Sequence, residues 1–152
     1  MDLCPLSEFE LSLFKAAAEE LRRKSPSPHT KLYEWPVVLQ HLLAQQELGL
    51  AGESYGCLVI TSIGSPWFTS EEMLIEDFVM KLYDTGVPSV IPEVLARMAA
   101  ARGLRYVAAG DTQTGRMAHN YRRRGFVCIG EQFLLEVNNG LATQGHWHSG
   151  PD

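Results

Sequence analysis

Residues 115–126 carry the strongest fold signal in the chain, and they read Gly115-Arg-Met-Ala-His-Asn-Tyr121-Arg-Arg-Arg-Gly125-Phe126. The basic stretch predicts a helix over residues 116–124. Gly125 is expected to end it, because many helices end at a glycine in the left-handed conformation. Tyr121 then projects from the last turn of that helix. Residues 127–137 are predicted to form a strand that follows directly.

The composition indicates one domain of ordinary hydrophobicity, and 152 residues are enough for a sizeable core. No apolar stretch approaches the roughly 18 residues of a membrane span, and the N-terminus lacks the basic-then-apolar order of a signal peptide. We therefore expect a cytoplasmic protein without a membrane partner. A single domain is predicted over residues 1–137. Residues 138–152 lack hydrophobic periodicity and are predicted to be a tail.

Charge and cysteine usage exclude several function classes. The net charge of −5 argues against a general nucleic-acid binder, so no nucleic-acid partner is expected. Cys4, Cys57 and Cys128 are scattered and lack metal-ligand spacing. They are predicted to be reduced thiols, with Cys57 and Cys128 as small core residues inside strands. No metal site is expected, because the tail's His146 and His148 are too few to hold one.

Two helices are predicted before the first strand. Ser7 and Glu10 have the spacing of a capping box, and apolar residues follow at helical spacing up to the Ser25-Pro-Ser-Pro28 segment. Pro36 is predicted to open a second helix that extends to about Glu47. These helices precede the part of the chain in which apolar residues alternate.

From Tyr55 onward the pattern predicts strands over residues 55–63 and 67–82. Whether Thr69-Ser70 divides the second of these strands stays open. A helix over residues 92–102 and a short strand over residues 104–109 follow. A strand–helix–strand unit requires a parallel pair, whereas the hairpin before it is antiparallel. The predicted fold class is α/β (α+β), with a mixed, mostly antiparallel sheet and helices on both faces.

These elements resemble the GNAT (general N-acetyltransferase) superfamily over about residues 56–137. Ala118, Tyr121, Gly125 and Phe126 match its closing unit in register, and Met73-Leu-Ile-Glu-Asp-Phe-Val-Met-Lys-Leu82 is similar to its central strand. The Trp67-Phe-Thr...Glu and Arg-Gly-Phe...Gly...Phe arrangement looks most like small bacteriophage-encoded members. The resemblance implies a central strand that splays from its parallel neighbour, leaving a gap for the acyl-pantetheine arm of acetyl-CoA. It also implies host cytoplasm, or a virion, as the location.

Two catalytic residues follow from the resemblance. Tyr121 is expected to protonate the thiolate that leaves, and Glu76 to deprotonate the acceptor amine. Glu76 and Asp77 are strand neighbours and so face opposite sides. Glu72 competes with Glu76 for the role of base. The alternatives are a Tyr121 that only packs beneath the last strand and a Glu76 that is only structural.

The predicted acetyl-CoA site is degenerate. Four residues are assigned to cofactor binding, namely Val79, Gly86, Ser89 and Arg116. Active members carry a glycine-rich loop whose N–H groups bind the pyrophosphate at a helix N-terminus. This chain has Tyr83-Asp-Thr-Gly-Val-Pro-Ser-Val-Ile-Pro92 instead, in which Pro88 and Pro92 have no N–H and Asp84 has the wrong charge. Acetyl-CoA is therefore expected to bind weakly.

Two functions remain open from the sequence. One is an N-acetyltransferase that moves acetyl from acetyl-CoA to a primary amine on a small molecule or a protein. The other is a catalytically retired GNAT fold with a structural or interaction role, for example in a phage virion or against a host protein. Residues 139–152 carry Leu141 and Trp147. This tail is predicted to contact another copy or another protein.

Overall fold

The computed structural model describes residues 3–26, 28–110, 116–130 and 134–137. Its helices are α1 (Glu8–Lys24), α2 (Trp35–Glu47), α3 (Ile91–Ala101) and α4 (Arg116–Arg124). Its strands are β1 (Ala51–Ser54), β2 (Cys57–Gly64), β3 (Met73–Lys81) and β4 (Val107–Ala108). The predicted tail and its partner contacts lie outside the described residues. Among those residues, no helix combines the length and hydrophobicity needed to cross a bilayer.

The sheet has the order β1-β2-β3-β4, and the predicted mixed, mostly antiparallel topology is confirmed. The first two pairings are antiparallel, and β3 pairs with β4 in parallel because α3 connects them. The parallel ladder has only two rungs, Leu74 to Val107 and Ile75 to Ala108. Since β3 continues to Lys81, its second half extends beyond the last rung.

Helices cover both faces of the sheet, as predicted. On one face, α3 and α4 bury a cluster that contains the following residues: Leu74, Val94, Leu95, Met98 and Tyr121. On the other, α1 and α2 bury a second cluster with these members: Phe14, Ala18, Leu42, Leu58 and Phe78. The apolar stripes of the four amphipathic helices therefore determine the two layers.

The N-terminus of α1 confirms the predicted capping box. The Ser7 hydroxyl accepts a hydrogen bond from the Glu10 N–H at 3.1 Å, and the Glu10 carboxylate accepts one from the Ser7 N–H at 3.0 Å. Two N–H groups that have no partner within the helix are satisfied in this way. The helix ends at Lys24, directly before the serine–proline segment that was expected to end it.

The predicted strand over residues 55–63 is confirmed as β2 from Cys57 onward, whereas its first two residues belong to a turn. Tyr55 and Gly56, with φ of 52° and 74°, form the two-residue turn between β1 and β2. Left-handed residues at both positions suit the twist of a tight hairpin. The unpredicted β1 is held on its other side by a bridge between Cys4 and Glu53.

Two further strand boundaries differ from the prediction. Residues 67–72 precede β3 and are not part of it, since pairing with β2 begins at Met73. Strand β4 covers only two of the six residues predicted for it. An apolar sequence predicts a strand, but its length depends on how much of a neighbouring edge is within hydrogen-bonding distance.

The predicted strand over residues 127–137 is wrong for the part that the structure describes. Neither residues 127–130 nor residues 134–137 belong to a strand. Val127 is 81% exposed and Ile129 is 95% exposed. Cys128 is exposed as well, so its predicted core role is also wrong, whereas Cys57 is buried in β2 as expected. Apolar residues form a strand only where an edge is available, and β4 offers an edge of two residues.

Candidate active site

A β-bulge in β3 lies at the second of two neighbouring carboxylates, Glu76 and Asp77. Thr61 pairs with Glu76 and Ile60 with Phe78, so Asp77 is an extra residue without a partner in the ladder. Glu76 faces α4, where it contacts Tyr121, and Asp77 faces α2, where it contacts His41. The prediction that these carboxylates lie on opposite faces is therefore confirmed. Because of the bulge, Val79 also lies on the α4 side, packed against the cluster that contains Tyr121.

The C-terminal end of α4 positions Tyr121. Gly125 has φ of 107°, a conformation that favours glycine, and it turns the chain so that the Phe126 N–H donates to the Tyr121 carbonyl at 3.0 Å. The rings of Tyr121 and Phe126 then pack with centroids 5.0 Å apart. Tyr121 is only 5% exposed. The glycine–phenylalanine pair thus holds the tyrosine ring in the core with its hydroxyl directed at the sheet.

The Tyr121 hydroxyl donates a hydrogen bond to Glu76 Oε1 at 2.9 Å. An O–H donor on a carboxylate is a charge-assisted pair, and such pairs are stronger than neutral ones. The pair lies next to the last rung of the parallel ladder, where β3 continues past the end of β4 while it remains paired with β2. A hydroxyl and a carboxylate in direct contact can pass a proton between them. Glu72, the competing base, lies in the loop before β3.

A second polar network lies on the α2 side of the bulge. Asp77 interacts with His41 Nε2 at 2.9 Å and accepts a hydrogen bond from the Ser62 hydroxyl at 3.2 Å. Sequence reasoning missed His41 and Ser62, which are 36 and 15 residues from Asp77 and share no motif with it. In a catalytic triad the histidine lies between the serine and the acid. Here the acid lies between the other two residues, which indicates a structural link between α2 and the sheet.

Metal chemistry and a nucleophilic role for Cys57 receive no support from the described part of the chain. No group of three or more His, Cys, Asp or Glu side chains within it is arranged to hold a metal ion. Burial raises the pKa of the Cys57 thiol, so this cysteine stays protonated and is a poor nucleophile. The Tyr121–Glu76 pair is the stronger candidate for proton transfer.

The loop that would bind a pyrophosphate uses several of its N–H groups internally. The Gly86 N–H donates to the Tyr83 carbonyl and the Val87 N–H to the Tyr55 carbonyl, both at 2.9 Å. At the start of α3, the Val90 and Ile91 N–H groups donate to backbone carbonyls within the preceding turn. Pro88 and Pro92 supply none. The backbone of this loop therefore has few donors left for an anion.

Gly86 has a packing role that the sequence did not reveal. A Cβ placed there would lie 2.7 Å from the Gly56 carbonyl oxygen, closer than real Cβ contacts allow. The same oxygen accepts hydrogen bonds from the Leu82 and Tyr83 N–H groups at 2.9 and 3.3 Å. The loop is thus docked on the β1–β2 turn, and only glycine permits that approach.

A small cleft separates the start of α3 from the end of α4. Its volume is about 170 Å³, and it is lined by Ser89, Pro92, Glu93, Asn120, Arg123 and Arg124. Arg124 forms an ion pair with Glu93. Ser89, one of the four predicted cofactor residues, therefore lies beside two guanidinium groups. Arg116 begins α4 at the opposite end of the helix, and its side chain lies outside the described residues.

No protein-family model matches the chain, and no curated protein or solved structure matches it either. A functional assignment has to rest on the residues and distances given above. Three of the predicted site residues, Glu76, Val79 and Tyr121, lie on one face of the sheet. Gly86 and Ser89 lie in the loop and turn that lead into α3.

Proposed function

We propose that this protein is a GNAT-like N-acetyltransferase that moves acetyl from acetyl-CoA to a primary amine. The observation that carries the proposal is the Tyr121–Glu76 hydrogen bond of 2.9 Å beside the two-rung parallel ladder. It joins the two residues that the family resemblance assigns to proton transfer. They are 45 positions apart in the sequence.

In this mechanism Glu76 accepts the proton that the acceptor amine loses as it forms the new amide bond, directly or through one water. The Tyr121 hydroxyl gives its proton to the sulfur when the carbon–sulfur bond breaks. Glu76 can then return a proton to Tyr121 along their hydrogen bond, so the pair ends the cycle as it began. Acetyl-CoA supplies the activated acetyl group as a thioester.

The backbone of β3 beyond Ile75 supplies the second element. Strand β4 ends at Ala108, whereas β3 continues to Lys81, so the edge of β3 beyond Ile75 is not paired with β4. Peptide N–H groups on that edge are suited to polarise a carbonyl oxygen, and fixed donors of this kind are among the strongest catalytic contributions. Val79 on this strand provides apolar contact on the Tyr121 side. In this proposal, β3 and Tyr121 suit the acyl end of acetyl-CoA better than the loop before α3 suits its pyrophosphate.

We expect acetyl-CoA to bind with a Kd in the high micromolar range or weaker. Two or three charge-assisted hydrogen bonds to the pyrophosphate are lost when the loop N–H groups are bonded internally, at about 1.5–3 kcal/mol each. Isothermal titration calorimetry measures this affinity. A low-micromolar or tighter Kd would mean that the phosphates are held in another way.

The cleft between α3 and α4 is the place to look for such compensation. Arg123 lines it, whereas Arg122 on the same turn of α4 does not. If the guanidinium groups replace the loop donors, Arg123→Ala weakens acetyl-CoA binding and Arg122→Ala leaves it unchanged. Equal effects of the two substitutions would indicate general attraction to positive charge and no defined phosphate site.

A second function is favoured by one observation, the exposed apolar segment after α4. Val127, Ile129, Leu135 and Val137 are between 68% and 95% exposed. Several exposed large apolar side chains in one short segment favour a contact with another protein. The second candidate is thus a retired GNAT fold that acts as an interaction or structural protein, such as a phage virion component or a binder of a host protein.

We expect the double substitution Val127→Asp and Ile129→Asp to abolish self-association while leaving the melting temperature nearly unchanged. Both side chains are exposed, and surface substitutions change stability by about 0.5 kcal/mol or less. Size-exclusion chromatography with light scattering measures the oligomeric state. Leu32→Asp is the matched control, because the Leu32 side chain is 66% exposed but lies outside the segment after α4. If the wild-type protein is monomeric at all concentrations, this segment does not mediate contact between copies of the chain.

A further inference from the structure

A groove opens at the N-terminal ends of β3 and β4, away from the Tyr121–Glu76 pair. Its volume is about 300 Å³, and it is lined by Pro66, Phe68, Thr69, Glu71, Met73 and Tyr106. Most of these side chains are apolar or aromatic, and Glu71 is the single charged group among the six. The groove therefore joins an apolar surface to one carboxylate.

The aromatic residues beside the groove are unusually exposed. Trp67 is 96% exposed, and its ring meets that of Phe68 edge to face at 5.7 Å. Tyr106 is 49% exposed and approaches from the segment that leads into β4. Neither the fold nor the proposed transfer reaction accounts for these rings. Exposed aromatic groups next to a concave surface are typical of a ligand site.

Arg105 shows which kind of ligand the groove accepts. Its guanidinium carbon lies 5.5 Å from the centre of the Tyr106 ring, and its Nη1 lies 3.5 Å from Glu71 Oε1. A cation is attracted both by the face of an aromatic ring and by a carboxylate. Two residues that line the groove therefore already share a cation, which the protein itself supplies.

That internal cation is held loosely. The Arg105 side chain is 72% exposed and that of Glu71 is 39% exposed, so water screens their ion pair. An arginine held in this way is displaced at little cost. Displacement leaves a carboxylate, a tyrosine face and an apolar wall that includes Met73 and Pro66.

We propose that this groove binds a small alkylammonium ion, a primary ammonium on a short aliphatic chain, in the position that Arg105 occupies. The volume is at the lower end for small-molecule sites, which favours a free amine of a few carbons. Glu71 and Tyr106 hold the ammonium, and the apolar wall contacts the chain. This inference does not depend on acetyl transfer.

The test compares n-hexylamine with hexan-1-ol, its neutral counterpart, by titration into ¹⁵N-labelled full-length protein. We expect n-hexylamine to shift the amide signals of residues 66–73 and 105–106. The affinity for hexan-1-ol should be lower by about fivefold or more. Equal affinity of the two compounds overturns the proposal, because the groove would then be merely apolar. Shifts spread over the whole surface overturn it too.

Two substitutions sharpen the result. Glu71→Gln keeps the shape of the side chain, and it should weaken hexylamine binding several-fold by removing the charge. Arg105→Ala should strengthen binding, because it removes the competing cation. Arg122→Ala, at an exposed arginine of α4, is the control for net charge and should leave the affinity unchanged. Weaker or unchanged binding in Arg105→Ala, or unchanged binding in Glu71→Gln, overturns the assignment.

Discussion

We expect Tyr121→Phe to lower the turnover of acetyl transfer about 10²-fold, the lower end of the range for a positioned proton donor. The substitution keeps the ring and its packing against Phe126, and it removes only the hydroxyl that donates to Glu76. Stability should fall by about 1.5–3 kcal/mol, as for loss of a hydrogen bond to a charged group. Release of free CoA thiol measures turnover, and thermal unfolding measures stability.

Tyr83→Phe is the matched control for this experiment. Its hydroxyl also donates to a carboxylate, that of Glu10 at 3.1 Å, but the bond joins the loop after β3 to α1. The control removes a similar hydrogen bond without touching the proposed proton path, so turnover should stay within about twofold. If Tyr121→Phe keeps full turnover with an intact fold, Tyr121 serves packing alone.

Glu76→Gln separates the two roles of the pair. A glutamine carbonyl still accepts the hydrogen bond from Tyr121, but it cannot take a proton from the acceptor amine. The fold should therefore persist while turnover falls by an amount comparable to that of Tyr121→Phe. Loss of the fold together with turnover would show that the carboxylate is needed for stability.

The second large effect is expected at Gly86. We expect Gly86→Ala to destabilise the protein by about 1–3 kcal/mol, as overpacking does. The added methyl would meet the Gly56 carbonyl oxygen at 2.7 Å, and this oxygen belongs to backbone that is held by two further hydrogen bonds. Urea denaturation measures the free energy of unfolding, and the midpoint should move to a lower concentration.

Gly110→Ala is the control, because a Cβ at Gly110 meets no atom of the described residues within 4 Å. Its effect on stability should be within about 0.5 kcal/mol. The comparison decides why residue 86 is glycine. Unchanged stability in Gly86→Ala combined with lost acetyl-CoA affinity would restore the cofactor role that the sequence suggested and contradict the packing role.

The local signals in the sequence determined the helices. The Ser7–Glu10 capping box and the glycines at 103 and 125 lie within one turn of the helix ends that they mark. Such signals act between residues only a few positions apart, so they do not depend on the rest of the fold. The parallel pairing of β3 and β4 also followed from the order of elements, because a helix connects the two strands.

The strand boundaries were decided by tertiary structure. Strand β1 contains Ala51, Gly52, Glu53 and Ser54, which have little preference for strands, yet it is held between β2 and the bridge to Cys4. Residues 127–130 have the opposite property, since they favour a strand but the described part of the sheet offers only the two-residue edge of β4. Strand formation depends on a partner that is distant in sequence, and no short window contains that partner.

For the candidate site, too, the residue types could be predicted from the sequence, whereas their contacts depend on the tertiary structure. Tyr121 and Glu76 were identifiable by their positions in a helix–glycine–phenylalanine unit and in a strand, but their contact at 2.9 Å joins residues 45 positions apart. The bulge at Asp77, which places Val79 on the same face as Glu76, depends on how β3 registers with β2. The docking of Gly86 on Gly56 depends on two loops that meet only in the folded chain. Residue types and helix ends are local properties, whereas register and close approach arise from packing between distant segments.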